Sequence, residues 1–260
     1  VTRAVSDAEL DAALAAWRRE GWAHLPEVAE PGELAALRAR YEALVTGALP
    51  DPGLFFQPDT PTGRYEDVAF GHGWAGPDVA YRKVERLERD PVFFAWLAQP
   101  LLERLARRVF PGAVTLYRAT VFAKAPHTGS DIPYHQDAGR FWGLDRDPEL
   151  QVWTALDDAP PEAGGLGVVP GSHRGGLATP MGGLVPPAVV AARAPVAVPI
   201  AARAGDLVLL HNLVWHRSGR NTTDAPRRAF TVCYLDGATR CTRTRRAPRV
   251  FPAVFPAAGA

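Results

Sequence analysis

Residues 205–234 read GDLVLLHNLVWHRSGRNTTDAPRRAFTVCY. Gly205-Asp206 is a turn entering an apolar run at 207–210, which has the length of a buried strand. Trp215-His216-Arg217-Ser218-Gly219 follows, and Arg227-Arg228 opens a second apolar run. An arginine at the head of a buried strand is costly unless it meets an anion. A dicarboxylate whose far carboxylate accepts a bidentate guanidinium is such an anion. Neighbouring strand residues face opposite sides, so only one of Arg227 and Arg228 can serve.

Upstream stands Tyr134-His135-Gln136-Asp137. On a strand, His135 and Asp137 project from one face and offer an imidazole and a carboxylate to a metal, while Gln136 points away. A second imidazole on a facing strand completes a 2-His-1-carboxylate triad with open positions for a co-substrate and O₂. Taken alone, His-x-Asp is common by chance. The other histidines read more simply as turn, surface or structural residues: His24, His72, His127, His173 and, facing the other way, His211.

Around these motifs the spacing predicts strands at 114–124, 132–137, 150–156, 167–169, 196–199, 207–210, 214–218 and 228–235, with the turn punctuation of a β-sandwich or barrel. Helices come first. Ser6 and Glu9 form a capping box and Gly21 ends the first helix; a second spans 31–45; a third starts at Asp90-Pro91 and is broken or kinked at Pro100. Residues 50–80 are rich in Pro, Gly and Asp, and a loop of that length reads as a lid. The expected organisation is a single domain over 1–260: a helical part at about 1–110, a β core at about 111–236, and an Arg/Pro-rich tail at 237–260.

Of the 260 residues 47% are hydrophobic and 22% charged, the composition of a globular protein. A net charge of +1 argues against nucleic-acid and membrane affinity. The two cysteines, Cys233 and Cys241, exclude a disulfide framework or a cysteine zinc site; Cys233 reads as a small core residue. The N-terminal stretch lacks the apolar segment of a signal peptide, so a reducing cytoplasm is expected. Arginine supplies 27 of the 29 basic residues, which singles out Lys83 and Lys124. Arg240, Arg243, Arg245, Arg246 and Arg249 read as a solvated tail.

YHQDAGRFW (134–142), VWTALDDAP (152–160), GGLGVVPGSHRGG (164–176) and the 205–234 stretch, in that order, resemble the phytanoyl-CoA dioxygenase family of Fe(II)/2-oxoglutarate oxygenases. The resemblance implies a mainly β fold with N-terminal helices on a double-stranded β-helix, a cupin-like jelly-roll core. It implies iron(II), 2-oxoglutarate and O₂ as cofactor and co-substrates, with succinate and CO₂ released. By position it makes His135, Asp137 and His216 the metal ligands. Arg227 and Ser218 become the binders of the 2-oxoglutarate carboxylate, with Trp153, Thr120 and Lys83 also near the co-substrate. Asp137 stands where related halogenases carry a small residue, which favours hydroxylation; desaturation, epimerisation and oxidative ring closure by the same centre are alternatives. A metal-binding cupin-type isomerase or binding protein is a more distant one. The chain is shorter than the acyl-CoA hydroxylases of the family and shows no nucleotide-binding insert. The expected substrate is therefore a small natural-product intermediate: a polyketide, terpenoid, amino acid or sugar. Arg140 and Trp142, just past the His-x-Asp motif, and the lid aromatics Phe55, Phe56, Tyr65 and Trp74 are the expected substrate contacts.

Overall fold

Ser6 accepts the Glu9 amide, and the Glu9 carboxylate accepts the Ser6 amide, so helix α1 (Asp7–Glu20) begins on its capping box. Such a cap contributes about 1 kcal/mol. Gly21 at φ 81° ends the helix in the left-handed region that favours glycine. Leu10, Leu14 and Trp17, on one stripe, are buried. Helix α2 spans Pro31–Val45. The Asp90 carboxylate accepts the Val92 and Phe93 amides to start α3 (Pro91–Leu97), and Pro100 splits off α4 (Pro100–Arg107) as a separate helix. A short α5 (Pro187–Arg193) comes late in the chain. The computed structural model describes residues 3–71, 73–193, 195–244 and 248–257.

The strands are β1 (Trp22–Leu25), β2 (Phe55–Pro58), β3 (Tyr81–Glu85), β4 (Val114–Lys124), β5 (Ile132–Gln136), β6 (Leu150–Ala155), β7 (Leu166–Val169), β8 (Gly183–Leu184), β9 (Val198–Ile200), β10 (Leu207–His211), β11 (Trp215–Ser218), β12 (Arg227–Asp236) and β13 (Ala253–Phe255). They form two antiparallel sheets. The larger runs β1-β10-β6-β12-β4-β3-β2, with β13 also pairing β4; the smaller runs β8-β5-β11-β7-β9. This is the jelly-roll expected.

Alternation along the large sheet decides where things go. Leu116, Val121, Leu150, Val152, Leu207, Leu209, Phe230, Val232 and Tyr234 share one buried cluster with the apolar stripes of the helices. Their neighbours in sequence face the small sheet. Trp153, Ala155, Val208, Leu210 and Ala229 pack there against Val168 and Ile200. The fold therefore has helices over one face of the large sheet and a space between the two sheets.

Two expectations need correction. The helical part also supplies β1, β2 and β3 to the large sheet; runs of four or five residues carry too little periodicity to be seen against their Pro/Gly-rich surroundings. The tail is not simply solvated. β13 pairs β4, the Arg249 guanidinium lies 4.9 Å over the Tyr117 ring, and Arg243 donates to the Phe141 carbonyl at 2.8 Å. Arginine stacks on aromatic faces and bonds carbonyls as readily as it faces water. Arg245, Arg246 and His72 lie outside the described residues.

Candidate active site

β5 and β11 are neighbours in the small sheet, and their register sets His135 directly opposite His216. The two rings stand 4.0 Å apart, centre to centre. Each Nδ1 lies within hydrogen-bond distance of the carbonyl two residues before it: His135 with Pro133 at 2.9 Å, His216 with Val214 at 3.0 Å. Donation from Nδ1 leaves Nε2 with its lone pair free, the tautomer a metal needs. Asp137 follows β5 and closes the group, with Oδ2 3.7 Å from His216 Nε2. The ligand atoms of His135, Asp137 and His216 all lie within 4.8 Å of one another, and among the described residues this is the group able to hold a metal ion. Burial, then the neighbouring His216, pulls the His135 pKa down to about 4, so the ring is neutral and able to ligate at ordinary pH.

Asp137 is held from both chain and cavity. Its amide donates to the Asn212 carbonyl, and Asn212 Nδ2 donates back to the Asp137 carbonyl. Its Oδ2 accepts from Arg118 at 3.0 Å and from Gln151 at 2.7 Å. Burial favours the neutral acid, but Arg118 and then the two imidazoles outweigh it and hold the carboxyl well below the usual carboxylate range. One carboxylate and two imidazoles on one face is the donor set of non-haem iron sites.

The triad lies on the wall of a cavity of about 550 Å³ between the sheets, within the usual range for ligand pockets. Arg227 lines the same cavity from the start of β12; it is buried, and its Nε has no hydrogen-bond partner. Burial pulls its pKa down to about 10, still cationic at neutral pH. A buried cation with an unpartnered donor fits an incoming carboxylate, which would satisfy both charge and donor. Ser218, also on the wall, accepts from Lys124 Nζ at 3.1 Å; Lys124 donates further to the Ser130 carbonyl at 3.0 Å and to the Gly219 carbonyl. Burial, with nearby Arg227 adding to it, pulls the Lys124 pKa down to about 6. Arg228, its side chain on the other face, is bidentate to Asp157 at 2.7 and 3.0 Å and also meets Glu42.

Of the remaining expected residues, Trp153, Lys83, Tyr65 and Trp142 line the cavity. Lys83 is paired with Glu85 at 2.7 Å. The others are displaced. Thr120 shares the inward face with Arg118 and Phe122 but is fully buried and does not reach the cavity; its ladder partner Thr231 does. Arg140 is exposed, because successive residues of a 3₁₀ turn point about 120° apart, and Phe141 and Trp142 take the cavity side. Phe56 is buried under the helices and packs on Trp74 and Tyr81, which makes it and Trp74 structural. Phe55 carries the Lys83 ammonium 5.7 Å over its ring and is not on the cavity wall. Gln136 ties loops together, donating to the Gly176 and Leu213 carbonyls and accepting from Ala178. His24 binds Asp206, and His211 stacks on Trp17, both away from the triad.

Sequence reading passed over Arg118, Gln151, Thr231 and Met181. Arg118 carried a usable signal, a lone charge inside the apolar run of β4, which is the argument that found Arg227.

The family model described as phytanoyl-CoA dioxygenase matches residues 17–229. The chain belongs to this family. It is a family of iron- and 2-oxoglutarate-dependent oxygenases, as the donor set and the buried arginine suit. A Bos taurus relative named phytanoyl-CoA dioxygenase domain-containing protein 1 is 32% identical over 158 residues, covering 57% of this chain and 54% of the relative. The chain thus spans about half the length of the curated relatives it matches. The carbocyclase SnoK from nogalamycin biosynthesis has a TM-score of 0.72 at 21% identity, covering 99% of this chain and 98% of that one. The epimerase SnoN in complex with Fe³⁺, alpha ketoglutarate and nogalamycin RO has a TM-score of 0.70 at 22% identity, covering 96% and 100%. These likenesses extend the jelly-roll over nearly the whole chain. No helix among the described residues is long and apolar enough to cross a membrane.

Proposed function

We propose that the chain uses iron(II), 2-oxoglutarate and O₂ to hydroxylate a small natural-product intermediate in a reducing cytoplasm, releasing succinate and CO₂. The observation that carries this reading is a metal-binding face and a buried, unpartnered arginine on the wall of one cavity. Bound iron would supply the oxidising power, drawn from O₂ and the decarboxylation of the co-substrate.

The chain's own residues supply the rest. His135, Asp137 and His216 hold the metal from one side, and the carbonyls of Pro133 and Val214 fix the two rings. Arg227 takes the far carboxylate of 2-oxoglutarate. Ser218, also on the cavity wall and 3.1 Å from Lys124 Nζ, offers its hydroxyl to the same carboxylate. Trp153 and Lys83 bound the co-substrate's space. Tyr65, Glu66 and Phe70, from the segment read as a lid, cover the outer cavity and keep water from the reacting centre. Both cysteines are free thiols, in keeping with a reducing compartment.

The test is turnover of Asp137→Ala and His216→Ala protein with added iron. Both should lose iron-dependent succinate release, and normal turnover in either would remove the triad from the mechanism. Mass spectrometry of the wild-type product should find one added oxygen. A product without it would replace hydroxylation by desaturation, epimerisation or ring closure at the same centre.

A further inference from the structure

We infer that the primary substrate carries a carboxylate, and that Arg82 is the residue that takes it. The inference rests on the oxygenase reading above, which gives Arg227 and Ser218 to the far carboxylate of 2-oxoglutarate and leaves Arg82 without an anion.

Arg82 reaches the cavity through an irregularity in β3. Along a regular strand Tyr81 and Lys83 would share a face and Arg82 would take the other. Instead Tyr81 joins the buried cluster under the helices, while Arg82 and Lys83 both line the cavity. The register of β2 against β3 shifts at this point, Gln57 pairing Lys83 but Pro58 pairing Tyr81. Arg82 is the extra residue of a bulge, a device that re-aims a side chain.

Turning a guanidinium into the interior is costly unless an anion meets it. Arg82 is 7% exposed, and its Nη1 donates to Gln57 Oε1 at 2.7 Å, a neutral partner. Among the described residues its Nε and Nη2 have no partner. Burial lowers its pKa, and the opposing pull of Tyr65, Asp59 and Glu85 does not restore it. Nε and Nη2 form the edge from which a carboxylate accepts two parallel hydrogen bonds. A phosphate monoester, with nearly two charges, would call for a second buried cation.

The charge balance agrees. Five cations line the cavity: Arg82, Lys83, Arg118, Arg217 and Arg227. Lys83 is paired with Glu85, and Arg118 with Asp137. Glu66, the other carboxylate on the wall, is exposed and faces Arg64 at 3.8 Å. Arg217 is exposed over the Tyr134 ring, where water screens its charge. With Arg227 assigned to 2-oxoglutarate, Arg82 is the buried cation of the five left without an anion.

Its neighbours place it under the outer cavity. The Arg82 guanidinium lies 5.6 Å from the centre of the Tyr65 ring, and Gln57 Nε2 donates to the Ala69 carbonyl at 2.8 Å. Arg82 and Arg227 also border a side cavity of about 10 Å³. That is room for about one water and not for a carboxylate. An anion therefore meets Arg82 from the main cavity, whose wall also carries the triad.

The experiment is anaerobic equilibrium dialysis of the full chain, loaded with Fe(II) and saturating 2-oxoglutarate, against benzoate and benzamide. The two probes match in shape and differ in charge. Benzoate should bind at least about tenfold more tightly, the scale of one charged hydrogen-bonded contact. Arg82→Gln should remove that preference and leave benzamide binding and 2-oxoglutarate affinity within about twofold. Arg82→Lys, which keeps the charge and loses the fork, should retain part of it. Equal binding of the two probes by the wild type overturns the inference. So does a preference that survives Arg82→Gln or falls with Arg217→Gln instead. Loss of both probes together in Arg82→Gln would make the residue structural, and weaker 2-oxoglutarate binding would give it to the co-substrate; either result also overturns the inference. Failure of the wild type to bind 2-oxoglutarate sinks the oxygenase reading, and an Arg82-dependent preference for benzoate would then leave the acid site standing.

Discussion

Arg118 reaches from the large sheet to Asp137 beside the small one and donates to its Oδ2 at 3.0 Å. The contact joins the two halves of the jelly roll through the anionic member of the candidate metal site. Gln151 shares the same oxygen, so the carboxylate is held by one charged and one neutral donor. Outer contacts of this kind orient a ligand before the metal arrives, and losing one costs about 10–100-fold in metal affinity. Arg118→Met should therefore weaken iron binding by about that factor with all three ligands intact. Competition against a chelator of known affinity measures it; an unchanged affinity would show that Gln151 suffices.

Arg227 and Arg228 are adjacent and do opposite jobs. Truncating one member of a buried charged pair costs about 2–5 kcal/mol, so Arg227→Ala should raise the 2-oxoglutarate requirement at least about tenfold. Arg228→Ala should leave that requirement nearly unchanged. Arg228 binds Asp157 and Glu42, and its loss should cost about 3 kcal/mol of fold stability and roughly 5–10 °C of melting temperature. The reverse pattern would mean that the register of β12 is shifted by one residue.

Phe56 and Tyr65 belong to one irregular segment and part company in the fold. Phe56 is 2% exposed in an aromatic knot with Trp74 and Tyr81, whereas Tyr65 lines the cavity. Phe56→Ala should cost about 3–5 kcal/mol by leaving a void. Tyr65→Phe should stay within about 0.5 kcal/mol of wild type. Chemical denaturation of both variants checks this. It also follows that deleting all of 50–80 would unfold the sheet edge, because it removes β2, which pairs β3.

Two histidines make the metal-free protein sensitive to acid. Burial, with His216 adding, lowers the His135 pKa to about 4; burial, with His173 adding, does the same to His211. An unfolded imidazole titrates near 6.5. Above that pH neither state binds the proton and nothing is gained or lost. Below it the unfolded chain takes up protons that the native chain refuses, so stability should fall down to about pH 4 and then level off, by up to roughly 2–3 kcal/mol per ring. Melting temperatures of chelator-treated protein between about pH 7.5 and 4.5 give the slope, and a flat profile would contradict it.

Several site residues were legible because strand geometry is a simple rule. The period of two put His135 and Asp137 on one side and forced a choice between Arg227 and Arg228. A charge at the head of an apolar strand pointed to an anion. The misplacements occur where that rule stops. Arg140 sits in a 3₁₀ turn, whose side chains fan out in three directions. Thr120 lies on the correct face but too deep, since distance from the cavity depends on how the sheet curves over the small one. Phe56 and Phe55 differ by one residue in a strand too short to announce which face is wet.

The sequence by itself determined the family and the jelly-roll class, and it pointed to the candidate metal group and to Arg227 as a buried cation, because these readings follow from local order and from the cost of burying charge. Tertiary structure alone decided what surrounds them. The opposition of His135 and His216 depends on the register of β5 against β11. The grip of Arg118 and Gln151 on Asp137, and the meeting of Phe141 with Met181, join residues 14–40 positions apart in the chain. Such contacts arise from the way two sheets close on one another, and no periodicity along a single strand encodes the distance between sheets.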